Sequence, residues 1–172
     1  SDISVFLTTE EAANYYEDSP YQTAARIEEP SFARFDVAEL DTYELNGATP
    51  TNVKGITCYN SFINKDLISL LKNTENTGLK SPTTITGVNQ RSALENLLAV
   101  KYIIAGQGRE ANPPQDFVED TELEEKLHTK DRIFVNQNPV GIGCTYSDAI
   151  SVNYYQNLSS LDKRETLLKY AV

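Results

Sequence analysis

Two facing carboxylates can act as general acid and base, so paired acids are the first groups to look for. Glu10-Glu11, Glu28-Glu29 and Glu124-Glu125 are adjacent pairs. Neighbours on a helix point about 100° apart, so these read as solvated surface rather than as facing acids. Asp36 and Asp41 fall near expected strand ends, where a site could form, but spacing supplies neither with a second acid. The single histidine, His128, could serve as a base near neutral pH; with Lys126 and Lys130 beside it, a surface position is the simpler reading. Ser61, Ser92 and Ser147 lack a Gly-x-Ser-x-Gly turn. Gly106-Gln107-Gly108 resembles a fragment of a phosphate loop without its third glycine or its Lys-Ser/Thr, and reads as a plain loop. No catalytic set emerges.

A binding role is easier to place. Tyr59 ends an expected strand, and Asn60-Ser61 is expected to open the next helix, where unpaired N–H groups and the positive dipole end gather. Such a terminus suits an anionic or hydroxyl-rich group. Arg34, on a strand expected nearby, could add a forked, charge-assisted contact. The candidate binding set is therefore Arg34, Tyr59, Asn60 and Ser61. The plainer account has Asn60 or Ser61 capping its own helix and Arg34 pairing with Asp36. Lys101 also sits inside an apolar strand and needs a partner, Asp36 or a helix-terminal carbonyl. Ten tyrosines and no tryptophan include the doublets Tyr15-Tyr16 and Tyr154-Tyr155, whose rings could stack on sugars or edge the core.

Cys58 and Cys144 are the only cysteines, and no Cys/His spacing of a zinc site occurs, so neither a metal nor a cofactor is expected. Outside the cell the two thiols could bridge, closing a long loop worth about 4–5 kcal/mol in the chain-entropy model. Otherwise they are two free thiols acting as small hydrophobes.

The elements that must position these groups alternate. Helices are expected over Thr8–Tyr16, ended by Ser19-Pro20; from Asn60 or Ser61 through Phe62, Ile63, Leu67, Leu70 and Leu71; over Ser92–Ala99; over Thr121–His128; and from Ser159 or Ser160, with Leu161, Leu167, Leu168 and Val172 on one side. Strands are expected over Phe32–Val37, Gly55–Tyr59, Val100–Ala105, Arg132–Val135 and Gly141–Tyr146. Asn73–Gly78 reads as an exposed loop, and 106–116 as a flexible connection at a sheet edge. Val100–Ala105 should be the most buried strand. The class is mixed α/β (α+β), one small sheet covered by helices, in a single domain over 1–172.

With 172 residues, 40% of them hydrophobic, the chain can build a core without staples. No run approaches the ~18 apolar residues of a membrane span. A net charge of −10 argues against a nucleic-acid partner. The start lacks an initiator methionine and a signal-like run, which sets the expectation of a piece of a larger protein.

Three passages carry a resemblance. Phe32-Ala33-Arg34-Phe35 with Gly55–Asn64 is similar to an aromatic-x-Arg strand and a later Tyr-polar-x-x-Asn segment. Leu97-Leu98-Ala99-Val100-Lys101-Tyr102-Ile103-Ile104 looks like an "LLgVKYii" stretch. Phe134–Tyr146, holding Asn136, Asn138-Pro139 and Gly141, resembles a strand–Asn–Pro–Gly–Tyr passage, and Leu161–Val172 its following helix. Together they resemble the YfhO family of bacterial membrane proteins. Cysteines are not part of that pattern, so a Cys58–Cys144 bridge would be particular to this chain.

The resemblance implies a multi-span glycosyltransferase using lipid-linked sugars, located at the cell membrane, which decorates lipoteichoic acid or a related envelope polymer in Gram-positive bacteria. This stretch would be an accessory domain on the extracytoplasmic side, partnered by the membrane-embedded remainder of the same chain and by envelope polymer or sugar. The family's catalytic acid lies in an early loop between membrane helices that has no counterpart among these residues, so no catalytic residue carries over. A self-contained carbohydrate-binding module with a Tyr-lined groove is the alternative.

Overall fold

A computed structural model describes Thr9, residues 19–40 and residues 44–172. Apart from Thr9, the expected helix Thr8–Tyr16 lies outside these residues, as do Asp41 and the Tyr15-Tyr16 doublet.

Ser19-Pro20 starts a helix rather than ending one. Pro20 sits in the first turn of α1 (Pro20–Arg26), where its missing N–H costs nothing, and the Ser19 side chain accepts from the Tyr21 N–H. The chain then enters β1 (Arg34–Ala38) and, after the segment around Asn46, β2 (Thr57–Tyr59). The next helix begins later than Asn60-Ser61: α2 spans Lys65–Asn73 and is capped by Asn64, whose side chain accepts from the Asp66 N–H at 2.7 Å. Asn60 instead closes a local turn onto the Phe62 N–H, and Phe62 is 90% exposed rather than part of the apolar stripe.

A hairpin of β3 (Leu79–Ser81) and β4 (Thr84–Thr86) follows, with β4 pairing β2 in a three-stranded antiparallel sheet. The expected exposed loop before it is partly interior. Thr74 is fully buried, its hydroxyl bonded to the Leu70 carbonyl at 2.8 Å, and buried Asn76 accepts from the Gly78 N–H.

α3 (Ser92–Leu97) leads through Ala99, held at φ 56°, into β5 (Val100–Ala105). Beyond it lie β6 (Phe117–Glu119), α4 (Thr121–Lys126) capped by Asp120, β7 (Arg132–Asn136), α5 (Val152–Gln156) and α6 (Ser160–Leu167) capped by Ser159. The larger sheet has the order β1-β5-β7-β6, parallel between β1 and β5 and antiparallel elsewhere. The mixed α/β class holds, with two small sheets among the described residues rather than one.

β5 is apolar almost throughout because it is covered on both faces. Tyr102 and Ile104 pack with Phe35, Ile133, Ala24 of α1 and Ile27 just after it. Val100 and Ile103 face Ala38, Phe117 and Phe134 on the other side. A further cluster of Leu71, Ile85, Val88 and Leu94 joins the small sheet to α2 and α3.

Gly141–Tyr146 forms no strand, and residues 141–145 are exposed. Both edges of β7 are already taken by β5 and β6, and the glycines at 141 and 143 bring no side chain to bury. On α6 and beyond it, Leu161, Leu168 and Val172 are exposed rather than gathered into an apolar face.

Candidate functional site

The parallel pair β1 and β5 ends in two open cavities. In α/β sheets the carboxyl ends of parallel strands are where ligands bind, because loops diverge there. The first cavity, about 500 Å³, lies where β1 runs out against the small sheet. Asp36 and Glu39 line it from the β1 side, Lys80, Thr84 and Thr86 from the hairpin, and Asn89 with Gln90 from the turn before α3. The second, about 640 Å³, lies where β5 runs out, at Gly106-Gln107-Gly108, and is lined by Arg26, Arg109, His128 and Lys130. Both volumes fall within the range of small-ligand sites. Arg109 and Glu39 connect the two, the guanidinium donating to the Glu39 carbonyl at 3.2 Å.

The first cavity has an acid floor. Asp36 is buried, and its carboxylate accepts from the Val37 N–H at 2.9 Å. Gly87, at φ 99°, crosses so close that a Cβ there would stand 2.9 Å from Asp36 Oδ1. A side chain at 87 would therefore be both strained and in collision.

Behind Asp36, on α3, lies Glu95, fully buried, with neither oxygen in good hydrogen-bond geometry to any partner. Burial pushes both acids up: Asp36 to about 6, and Glu95 well above the usual carboxylate range because the Asp36 charge adds to its desolvation. One proton held chiefly by Glu95 relieves the repulsion between them. A polar chain continues inward. Asp116 accepts from Ser92 Oγ and Asn96 Nδ2, both at 3.0 Å, and Asn136 Nδ2 donates to Asn96 Oδ1 at 2.8 Å.

The rim carries backbone strain. Glu39, Asn89 and Gln90 all hold positive φ, at 48°, 57° and 52°. Residues in this region cluster at sites where geometry matters more than local stability. The lining holds two carboxylates, two threonine hydroxyls, two amides and one ammonium. That is the equipment for recognising hydroxyl groups.

The expected binding set is split. Arg34 donates to the Leu98 carbonyl at 2.7 Å and lies over the Phe32 ring, 5.1 Å from its centroid. It does not pair with Asp36: the guanidinium is engaged by the Leu98 carbonyl, while Asp36 is buried beside Gly87. Arg34 lines a small cavity of about 190 Å³ with Cys58 and Leu98. Tyr59, Asn60 and Ser61 are exposed at the far end of β2, with the Tyr59 N–H held by Asn46 Oδ1 at 2.9 Å. The helix terminus that motivated Asn60 and Ser61 belongs to Asn64.

Lys101 pairs with Glu29 at 2.5 Å; Glu29 also accepts from Tyr102 Oη at 2.8 Å, and its side chain is 8% exposed, so it is not the solvated acid its spacing suggested. The Cys58–Cys144 bridge is not formed. Both thiols are free, Cys58 half-buried in the small sheet and Cys144 exposed in the irregular segment. His128 is exposed, as expected. Tyr155 is buried and Tyr154 is 60% exposed, one ring of the doublet on each side.

Spacing gave no hint of Glu95 as the second acid. The available signal was an acid and an amide inside Leu94-Glu95-Asn96-Leu97-Leu98, directly before the most apolar strand. The hairpin that supplies Thr84 and Thr86 was announced only by Thr84-Ile85-Thr86 after Pro82.

The chain as a whole matches the family of bacterial membrane proteins designated YfhO over residues 1–172, and it belongs to that family. No curated protein and no solved structure matches it. Among the described residues no helix is long and apolar enough to cross a membrane, and no group of three His, Cys, Asp or Glu could hold a metal ion.

Proposed function

We propose that this chain is a single extracytoplasmic accessory domain of a YfhO membrane glycosyltransferase, and that it positions a hydroxyl-rich envelope polymer such as lipoteichoic acid. The observation that carries this reading is the cavity over Asp36. A buried, proton-sharing acid faces threonine hydroxyls and amides across a space of small-ligand size. Family membership supplies the membrane, and the membrane-embedded remainder of the same chain is the partner that performs transfer. Asp36 accepts hydrogen bonds from hydroxyls, and Thr84, Thr86, Asn89 and Gln90 fix their direction.

Two measurements test this. Titration with glycerol-phosphate oligomers and with neutral disaccharides, followed by amide shifts, should move Thr84, Thr86, Asn89 and Gln90. Turnover of a lipid-linked sugar by this chain alone, or shifts confined to other surfaces, would overturn it. The side of the membrane is tested at Cys144, which is exposed and should react with a membrane-impermeant maleimide on intact cells. The tyrosines of the described residues line neither of the two cavities.

A further inference from the structure

We infer that the second cavity, at the carboxyl end of β5, is a binding site for a phosphate group. A chain of net charge −10 should repel anions over most of its surface. Yet this one concavity gathers Arg26, Arg109, Lys130 and His128 around a glycine-bearing loop. The count of charges decides whether anything remains for a ligand.

Arg109 is committed to Glu44, making a forked pair at 2.5 and 3.0 Å, and those two charges cancel. Asp131, the acid of the cavity, is spent on protein donors: Oδ2 accepts from Thr23 Oγ1 at 2.6 Å, and Oδ1 from the Gln107 N–H at 3.1 Å. Arg26 donates to the Leu127 carbonyl at 2.8 Å and to Thr23 Oγ1 at 3.1 Å, contacts that orient its guanidinium without neutralising it. Lys130 is exposed at the mouth. Arg26 and Lys130, set against the single charge of Asp131, therefore leave a net positive charge of one facing the cavity.

The loop leaves room for a ligand. Gly108 holds φ 77°, and a Cβ built on it would meet nothing within 4 Å, so the loop stands open toward solvent on that side. The Gln107 and Arg109 N–H groups are already taken by Asp131 and the Gly106 carbonyl, so the contact falls to side chains, and a planar guanidinium matches the oxygens of a phosphate. The inference rests on this cavity alone, and not on the hydroxyl site over Asp36. The chemistry is shared by a phosphodiester within a polymer and by a free phosphate monoester.

The test is a titration of the 172-residue chain at low salt, read by amide shifts. The arms are inorganic phosphate, glycerol 3-phosphate, the diester bis(glycerol) phosphate, and glycerol as the uncharged control. Phosphate and at least one ester should shift Gly106–Gly108 and Thr129–Asp131, glycerol should not, and added salt should weaken binding. Tighter binding of the diester assigns the site to polymer; tighter binding of the monoester assigns it to a free phosphate.

Lys130→Gln and the double variant Arg26→Gln/Lys130→Gln should weaken binding progressively, the double by about tenfold, as loss of charge-assisted contacts dictates. Lys72→Gln, an exposed lysine on α2, should leave it unchanged. Because Lys130 is exposed, its variant keeps the fold and the test readable. Absence of shifts at these residues under millimolar phosphate, or equal loss in Lys72→Gln, would overturn the site.

Discussion

The sheet around β5 and the segment after β7 both carry isoleucine, valine and tyrosine, yet they bury them very differently. Val100, Ile103, Ile104 and Ala105 are 0% exposed, closed in by β1 and β7 at the edges and by packed residues on both faces. Ile142, Val152 and Leu161 are 63%, 55% and 56% exposed. The contrast shows that composition alone does not make a strand. A run becomes a strand when a neighbouring edge is open to receive its N–H and C=O groups, and β7 had none left.

The largest expected effect tests the buried side of that contrast. Ile103→Ala should destabilise the chain by about 2–5 kcal/mol, because the deleted atoms leave a cavity between Phe117 and Phe134 that a rigid sheet cannot close. Denaturant melts that show a loss under about 0.5 kcal/mol, the size of a surface substitution, would move the core elsewhere.

The site next to that core carries the second effect, a dependence on pH. Asp36 and Glu95 are raised above their unfolded values by burial. Their contribution is fully present below the unfolded carboxylate values, near 4; that of Asp36 is lost as pH rises through about 6, where the folded Asp36 ionises. Stability should therefore fall as pH rises above about 4, with the share of Asp36 lost by about 6 and that of Glu95 lost at higher pH. Asp36→Asn keeps the acceptor for the Val37 N–H and should flatten this profile. An unchanged slope in that variant would assign the titration to other groups.

The same strand shows how much was legible beforehand. Val100–Ala105 and its place at the centre could be read from its apolar run, and α3 before it from the period of its leucines. Ala99 turns the chain between them in a conformation that no sequence pattern announces in an alanine. Short helices escaped for a different reason. Pro20 reads as a breaker unless the serine before it is recognised as a cap, and α5 is too short for a period to show. The candidate site was the least legible part. Asp36 stood out near a strand end, but Glu95 reaches it only through tertiary packing. The two halves of each cavity come from segments far apart in the chain.

A third, smaller effect lies at the margin of the sheet. Burial alone would raise Glu29, but hydrogen bonds from Lys101, Ser31 and Tyr102 outweigh it and bring the carboxyl down to about 2. A lowered carboxylate stabilises above its unfolded value and loses that contribution as pH falls through the folded one. Lys101→Ala should cost about 1 kcal/mol at neutral pH, in the range of a partly exposed, hydrogen-bonded pair. The gap should close as pH falls from the ordinary glutamate value of 4.5 toward about 2. A gap that stays constant across that range would mean that Lys101 acts through its packing on the Tyr102 ring, which lies 5.5 Å from its ammonium.

The smallest expected effect completes the comparison from the exposed side. Ile142 lies between two glycines in a stretch without ladder hydrogen bonds, and its side chain is 63% in water. Truncating it removes little area that folding had hidden, and the loss is measured against an unfolded chain in which the same side chain is also wet. Ile142→Ala should therefore change stability by less than about 0.5 kcal/mol, the ordinary range for surface positions. The same residue type then spans the whole range of the molecule, from a core truncation at 103 to a near-neutral one at 142. Denaturant melts on the two variants under one set of conditions make the comparison direct. A loss above about 1 kcal/mol at 142 would show that the segment after β7 packs its isoleucine in solution, and that the two regions differ less than their exposures indicate.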